Sequence, residues 1–457
     1  MRTEQASFRT TLKKLNGDSL TPILIFRRLK GKRKFLLESS AKHDSSGRYS
    51  FIGVNPLKSY TARNGKLIEH FYENGKEYTH EGNVFELLKR LMPSIPDNTG
   101  LPFTGGAVGY IGYEASLNKK SPLEDEIGLP NVYFNVYETL VIFDHQLDEV
   151  TLINTDTGSE REIPNLDSIA DQILSSSEEQ DGEILISAYS CSVTQQQFED
   201  LVRKAKDYIE KGEVEQVVLS RRLVADFTGD PFSLYRKLRK RNPSPYMYYM
   251  EFEDHVIVGT SPESLVQVID RKVVTNPIAG TRRRGRTADE DISLEKELLS
   301  DPKEISEHNM LVDLSMKELG KVCVPESVQV TNYKKLVRYE HVMHIVSEVE
   351  GVLSPVLHPL DGLMSCFPAG TVTGSPKQRS IEIIEELELL QRSFYGGSIG
   401  YIGFNGNIDF ALTIRTMLLK EGKVYVQAGA GIVAASDPKL EYKETFNKAR
   451  SLLEVLK

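Results

Sequence analysis

Ser398-Ile399-Gly400-Tyr401-Ile402-Gly403-Phe404-Asn405-Gly406-Asn407-Ile408-Asp409-Phe410-Ala411-Leu412 sets an Asn-Gly pair between two apolar runs, which is the pattern of a β-hairpin. The second run extends from Ile408 to Met417, Glu421-Gly422 offers another tight turn, and the glycine-rich strand Gln427-Ala428-Gly429-Ala430-Gly431-Ile432-Val433 follows. Leu440 to Leu456 then keeps helical spacing and carries Glu441, Glu444 and Lys448 on neighbouring turns. Strands folded back on one another and closed by a helix point to an α/β body.

Upstream, Ser375-Pro376 starts a helix continued by Ile381, Ile383, Ile384 and Leu387. Val217 to Val224 reads as a strand, and Phe198, Leu201, Ala205, Tyr208 and Ile209 as one helix face stopped at Gly212. Nearer the start, Phe35 to Leu37, Tyr49 to Val54, Gly106 to Tyr113 and Val132 to Phe143 read as strands of a mixed sheet. Asp156 to Gln180 is polar and acidic, which predicts a connection between an N-terminal lobe, 1–180, and a C-terminal lobe, 181–457.

At 457 residues the chain is long enough for two or three domains or one large body, and its 40% hydrophobic and 26% charged content is that of an ordinary globular protein. No apolar stretch approaches the roughly 20 residues of a membrane span. Met1 to Lys14 lacks a signal-peptide core, and three widely spaced cysteines, Cys191, Cys323 and Cys366, predict a reducing cytoplasm. A net charge of -9 argues against a nucleic-acid surface, and the one basic run, Thr281-Arg282-Arg283-Arg284-Gly285-Arg286, has no interleaved aromatics. An anionic substrate must then be drawn by a local positive site.

Two glutamate pairs, Glu304 with Glu307 and Glu441 with Glu444, are spaced to share a helix face and aim carboxylates at one point. Oxygen-only ligands suit Mg²⁺, although either pair alone also reads as solvated helix surface. Gly429 and Gly431, and Gly280 beside Thr281, would let backbone N–H groups approach an anion; a strand end or turn is the competing reading. Arg415 is placed to cross to the glycine strand and grip a carboxylate, or to make an ordinary cross-strand ion pair. His344 alternates with apolar residues and could serve as acid or base, or be structural.

Longer motifs carry a resemblance. Pro277-Ile278-Ala279-Gly280-Thr281, Glu304 to Asp313, Phe367 to Lys377, Tyr395-Gly396-Gly397 and Ala428 to Lys448 make the chain similar, from about Leu36 to its C-terminus, to the chorismate-utilising enzymes. Within them it most resembles the large component of anthranilate synthase. The resemblance implies two packed, largely antiparallel sheets flanked by helices. It implies Mg²⁺ held by Glu307 and Glu444 against the ring carboxylate of chorismate, with Glu304 and Glu441 in support. Arg415, Lys448, Gly429, Gly431 and Tyr395 would bind the enolpyruvyl group, while Gly280, Thr281 and Thr371 position the ring. Glu263 would protonate the departing 4-hydroxyl, and His344 would serve the elimination of pyruvate.

Gln216 stands where related isochorismate and salicylate synthases place a lysine that activates water, so amination by ammonia is the expected reaction. Ala279 excludes the ring-attacking lysine found in some aminodeoxychorismate synthases, which remain the alternative together with a non-catalytic paralogue. Leu37-Glu38-Ser39 and Asn242-Pro243-Ser244-Pro245-Tyr246-Met247 resemble the two halves of a tryptophan feedback site, and the chain contains no tryptophan. No cysteine has the setting of a glutamine-hydrolysing nucleophile, so a separate glutamine amidotransferase subunit, in a hetero-oligomer, is implied. Two departures stand out: Met316-Lys317-Glu318 replaces the usual Arg-Asn-Asp, and Ala435 replaces an acidic residue.

Overall fold

A computed structural model describes residues 10–40, 47–63, 65–97, 99–117, 120–159, 161–175, 181–338 and 342–455. Their strands make two large sheets. The first runs from the edge strand Thr10–Asn16 through Glu149–Thr155, Thr139–Asp144, Tyr49–Gly53, Phe35–Glu38, Tyr246–Glu251, His255–Ser261, Thr416–Lys420 and Lys423–Ile432 to Gln216–Gly229 and Ile184–Ile186. The second runs from Ile278–Arg283 through Val342–Val352, Lys272–Thr275, Ser264–Ile269, Ile408–Leu412, Ser398–Gly403, Gly106–Ile111, Val132–Tyr137, Lys58–Arg63 and Lys66–Phe71 to Glu77–Glu81.

Every pairing between these strands is antiparallel. The upstream runs therefore do not form a mixed sheet, because parallel neighbours need a helical crossover and the links between these runs are tight or lead to the other sheet. Between the sheets lie Phe35, Phe51, Tyr248, Leu418 and Tyr425 of the first and Val108, Tyr110, Ile399, Tyr401 and Ala411 of the second. Helices Pro22–Arg28, Leu166–Leu174, Pro231–Arg241 and Pro438–Leu453 pack on the outer face of the first sheet. Helices Val84–Leu91, Pro302–Leu319 and Pro359–Cys366 cover the second.

Two stretches that read as single strands are corners. Val132 to Phe143 divides at Glu138 into one strand in each sheet, and Ile408 to Met417 divides at Thr413, Ile414 and Arg415 in the same way. Both inner faces demand apolar residues, so an apolar run passes from one sheet to the other without a compositional break. The Glu421-Gly422 turn is a two-residue hairpin with both residues at positive φ, 51° and 72°, closing the pair Lys420 and Lys423. At Asn405-Gly406 only Gly406 has positive φ, 84°, and Gly403 N donates to Asn407 O, so that hairpin has the longer, bulged loop.

Both sheets take strands from either side of residue 180, so the expected division runs through two shared sheets. Within the stretch read as a connection, Leu166–Leu174 is a helix that buries Ile169, Ala170 and Ile173; residues 176–180 lie outside those described. Among the described residues no helix is long and apolar enough to cross a membrane.

Candidate active site

The two acidic helices begin alike. Asp301 caps Pro302–Leu319 through the N–H groups of Lys303 and Glu304, and Asp437 caps Pro438–Leu453 through those of Lys439 and Leu440. In each, proline follows the cap, where its missing N–H costs nothing. Glu304 and Glu307 are thereby set on the opening turns of one helix, and Glu441 and Glu444 on the first half of the other with Lys448 a turn further on.

The glycine strand joins them. Lys423–Ile432 pairs with Gln216–Gly229, setting Gly429 opposite Ser220 and Gly431 opposite Val218. A Cβ on Gly429 would come within 2.6 Å of Tyr395 Oη, and one on Gly431 within 2.6 Å of Gln216 Nε2. Close approach, and not a strand end, accounts for both glycines. Gln216 Nε2 lies 3.5 Å from Glu307 Oε1, while Lys448 Nζ donates to Gly429 O at 3.0 Å and pairs with Glu444 at 2.8 Å. Strand, amide and both helices thus meet in one cleft.

The carboxylates are not equivalent. Arg282 donates to Glu304 at 3.0 Å, and also to Glu297 and Asp301 at 2.8 and 2.7 Å. Burial raises the pKa of Glu441, reinforced by the neighbouring charge of Glu444 and opposed by the Ser436 hydroxyl and by Lys448 and Lys303. Among the described residues no three His, Cys, Asp or Glu side chains form a ready-made metal cluster. Carboxylates on two facing helices are nonetheless an all-oxygen donor set that fits a hard cation retaining most of its water.

Opposite them, Glu263 accepts a hydrogen bond from Thr371 Oγ1 at 2.7 Å. Burial pushes its carboxyl up to about 7, against the opposing pull of Thr371 and of Lys448. Tyr395 is buried, and its phenol is pushed up to about 12, so its hydroxyl keeps its proton. Arg415 is at the sheet-to-sheet corner with φ 51°, not within the hairpin strand expected for it. Burial lowers its pKa while Tyr395 and Glu444 oppose the shift, and no ion pair engages its guanidinium among the described residues. A charged, partly buried arginine in that state suits a substrate carboxylate.

Gly280, φ 76°, sits at a bulge between Ala279 and Thr281, where the strand Ile278–Arg283 pairs with Val342–Val352. That bulge presents Gly280 O and Thr281 Oγ1, each 3.0 Å from His344 Nδ1. Burial pulls the imidazole down to about 4, helped by Arg415 and opposed by the Gly280 carbonyl. His344 is therefore a neutral imidazole at neutral pH.

The two segments resembling a feedback site also meet. Phe35–Glu38 pairs with Tyr246–Glu251 so that Met247 faces Glu38, and Ser40 N donates to Ser244 O, drawing Leu37, Ser39 and Pro243 into the same region of the first sheet. Glu38 is buried and accepts from Tyr235 Oη at 2.6 Å and Arg239 Nη2 at 3.1 Å, while Ser39 Oγ is buried without a hydrogen-bond partner among the described residues. Tyr246 reaches the second sheet, donating to Asp409 at 2.9 Å and accepting from the Ser264 hydroxyl at 3.0 Å.

Three contributors escaped the sequence reading. Arg392, fully buried, donates to Val218 O and Glu388 at 2.7 Å and underlies the Tyr395 ring, but nothing in its local spacing marks it. Arg282 sat in the basic run yet serves as the clamp on Glu304, and Arg283 and Arg284 pair with Glu290 and Asp291, so this run is committed to the chain's own carboxylates. Glu318 of the departing triplet is buried and pairs with Lys377, and Met316 packs on the core. Nothing in the structure explains Ala435.

Comparison with known proteins agrees with this geometry. The family model for chorismate binding enzyme matches residues 32–454. Anthranilate synthase component 1 of Lactococcus lactis subsp. lactis is 44% identical, over 97% of this chain and 99% of its own. The crystal structure of anthranilate synthase component I from Streptococcus pneumoniae superposes with a TM-score of 0.81 at 38% identity, covering 96% of this chain and 98% of that one. The menaquinone-specific isochorismate synthase of Escherichia coli shares the fold alone, with a TM-score of 0.75 at 18% identity over 98% of this chain and 95% of its own. A match over nearly the whole chain, taking in both sheets and both acidic helices, makes this chain a member of the chorismate-binding enzyme family.

Proposed function

We propose that this chain converts chorismate and ammonia to anthranilate, pyruvate and water, the first committed step of tryptophan synthesis. The observation that carries the reading is Glu263, a carboxyl keeping its proton to about pH 7 in a cleft that also holds Arg415 and Lys448. Those cations suit the enolpyruvyl carboxylate, and Gly429, Gly431 and Tyr395 leave it room. Gly280, Thr281 and Thr371 border the space for the ring. Glu263 donates to the leaving 4-hydroxyl as ammonia adds at C2. Gln216, a neutral amide, offers no base to activate water and so favours ammonia. His344, neutral above about pH 4, is ready to take a proton in the elimination of the enolpyruvyl group.

Mg²⁺ would be held by Glu307 and Glu444, supported by Glu304 and Glu441, and would neutralise the ring carboxylate of chorismate. Ammonia would come from a glutamine amidotransferase small subunit in a hetero-oligomer. Burial raises the thiols of Cys323 and Cys366 to about 11 and about 12, unlike an activated nucleophile, and all three cysteines are free, as suits a reducing cytoplasm. Tryptophan would inhibit from the segments around Glu38 and Met247.

The test is product analysis by mass spectrometry after incubating the purified chain with chorismate, Mg²⁺ and ammonium, with and without tryptophan. Anthranilate and pyruvate that diminish on adding tryptophan are expected. An aminated product retaining the enolpyruvyl group would favour aminodeoxychorismate synthesis, and unchanged chorismate would leave a binding-only paralogue.

A further inference from the structure

Glu263 also borders a small cavity of about 40 Å³, walled on one side by the later turns of the helix Pro302–Leu319 and lined by Thr371, Asn276, Ser315, Glu318 and Cys366 among others. At roughly 10–15 Å³ for each water, it has room for two or three, and its polar lining supplies the partners a buried water requires. Among its lining residues is Glu318, whose side chain is 9% exposed and paired with Lys377. Lys377 also donates to Cys366 O at 3.2 Å and is 19% exposed, so it connects Glu318 to solvent.

A general acid that has given up its proton must regain one before the next turnover, and substrate or product occupies the front of Glu263. We propose that Glu263 is recharged through this cavity, by a proton passed from Lys377 and Glu318 by way of its water. The inference rests on the reading of Glu263 as the acid. In each transfer an O–H bond forms at the Glu263 carboxylate as one breaks in the adjacent water, which recovers its proton from Glu318, itself recharged through Lys377 from solvent. No net proton is consumed, since the ammonium adduct at C2 releases one for each that Glu263 delivers. Burial raises the pKa of the Glu318 carboxyl, with Lys377 and Lys321 opposing, which eases its protonation. The other ionisable groups acting on Glu263 are Lys448 and Tyr395, both on the cleft side.

The experiment compares wild type with Glu318→Gln, with Glu318→Gln/Lys377→Met, which leaves no unpaired charge, and with Ser315→Val, which narrows the cavity and keeps both charges. Steady-state production of anthranilate is followed in a dilute, bulky buffer and again with added imidazole. Recharging follows the first irreversible step, so it governs kcat and not kcat/KM. The expected result is a kcat about tenfold lower with kcat/KM held within about twofold, and recovery of kcat as imidazole is raised. Unchanged kcat in the variants that fold, or a parallel fall of kcat and kcat/KM that imidazole does not reverse, overturns the proposal. If no variant folds, a wild-type kcat still limited by buffer concentration overturns it as well, because an internal relay makes external buffer unnecessary. Wild type that makes no anthranilate at all would instead overturn the reading of the active site.

Discussion

In the proposed reaction two side chains would set the pH behaviour. Glu263 would act while protonated, below about pH 7, and His344 while neutral, above about pH 4, so kcat should form a plateau between those values and fall on either side. Thr371→Val removes the hydrogen bond that favours the Glu263 carboxylate, so the alkaline limb should move up; a limb that stays or moves down contradicts the assignment. The same burial has a stability consequence. The folded-state pKa of Glu263 is raised above its ordinary value of 4.5, so its contribution to stability is fully present below pH 4.5 and is lost as pH rises through about 7. Glu263→Gln should therefore melt at a higher temperature than wild type at pH 8, with the difference shrinking towards pH 4.5, while turnover drops by about 10²–10⁴. Thermal melts and product assays on the one variant would reveal both effects. His344→Ala should slow pyruvate release more than ring amination, which quenched-flow separation of the aminated intermediate from anthranilate would show.

Elements matter here through how closely they approach. The strand Lys423–Ile432 carries glycine where Tyr395 and Gln216 press against its backbone, and a methyl group on Gly429 would collide with a phenol oxygen. Gly429→Ala should cost about 1–3 kcal/mol, as overpacking generally does, together with most activity. Adding Tyr395→Phe should restore part of the stability and none of the activity, and chemical denaturation of the single and double variants measures the coupling. Gly422 is a contrast. It occupies a left-handed position in a remote hairpin, so Gly422→Ala should cost about 1 kcal/mol and leave kcat unchanged. The helix at Leu440 to Leu456 and the Glu421-Gly422 hairpin were legible in the residues because helical periodicity and tight turns are decided by short-range spacing. The corners at Glu138 and Thr413 to Arg415 were not, since an apolar strand reads alike whichever sheet it joins.

Across the whole molecule, the first sheet carries the segments around Glu38 and Met247, and Glu263 lies at the corner between its strand His255–Ser261 and the second-sheet strand Ser264–Ile269. Tyr246 spans the two through Ser264, the neighbour of Glu263, and through Asp409, whose carboxyl burial raises to about 6. Coupling between sites needs an element that both can bias, and this tyrosine touches both sheets. Tyr246→Phe should weaken tryptophan inhibition several-fold while wild-type kcat/KM without tryptophan is kept within about twofold, as initial rates over a tryptophan titration would report. What the sequence determined by itself were groups and local forms: the acidic helix faces, the glycine strand, the hairpins and the absence of a lysine at Gln216, all set by residue type and short-range spacing. The tertiary structure alone decided that both sheets share strands from the two halves of the chain, and that Arg282 clamps Glu304. It also decided that Arg392 lies beneath Tyr395 and that burial pushes the Glu263 carboxyl up. Those properties depend on which side chains exclude water and lend charge from distant parts of the chain, and no local spacing carries that information.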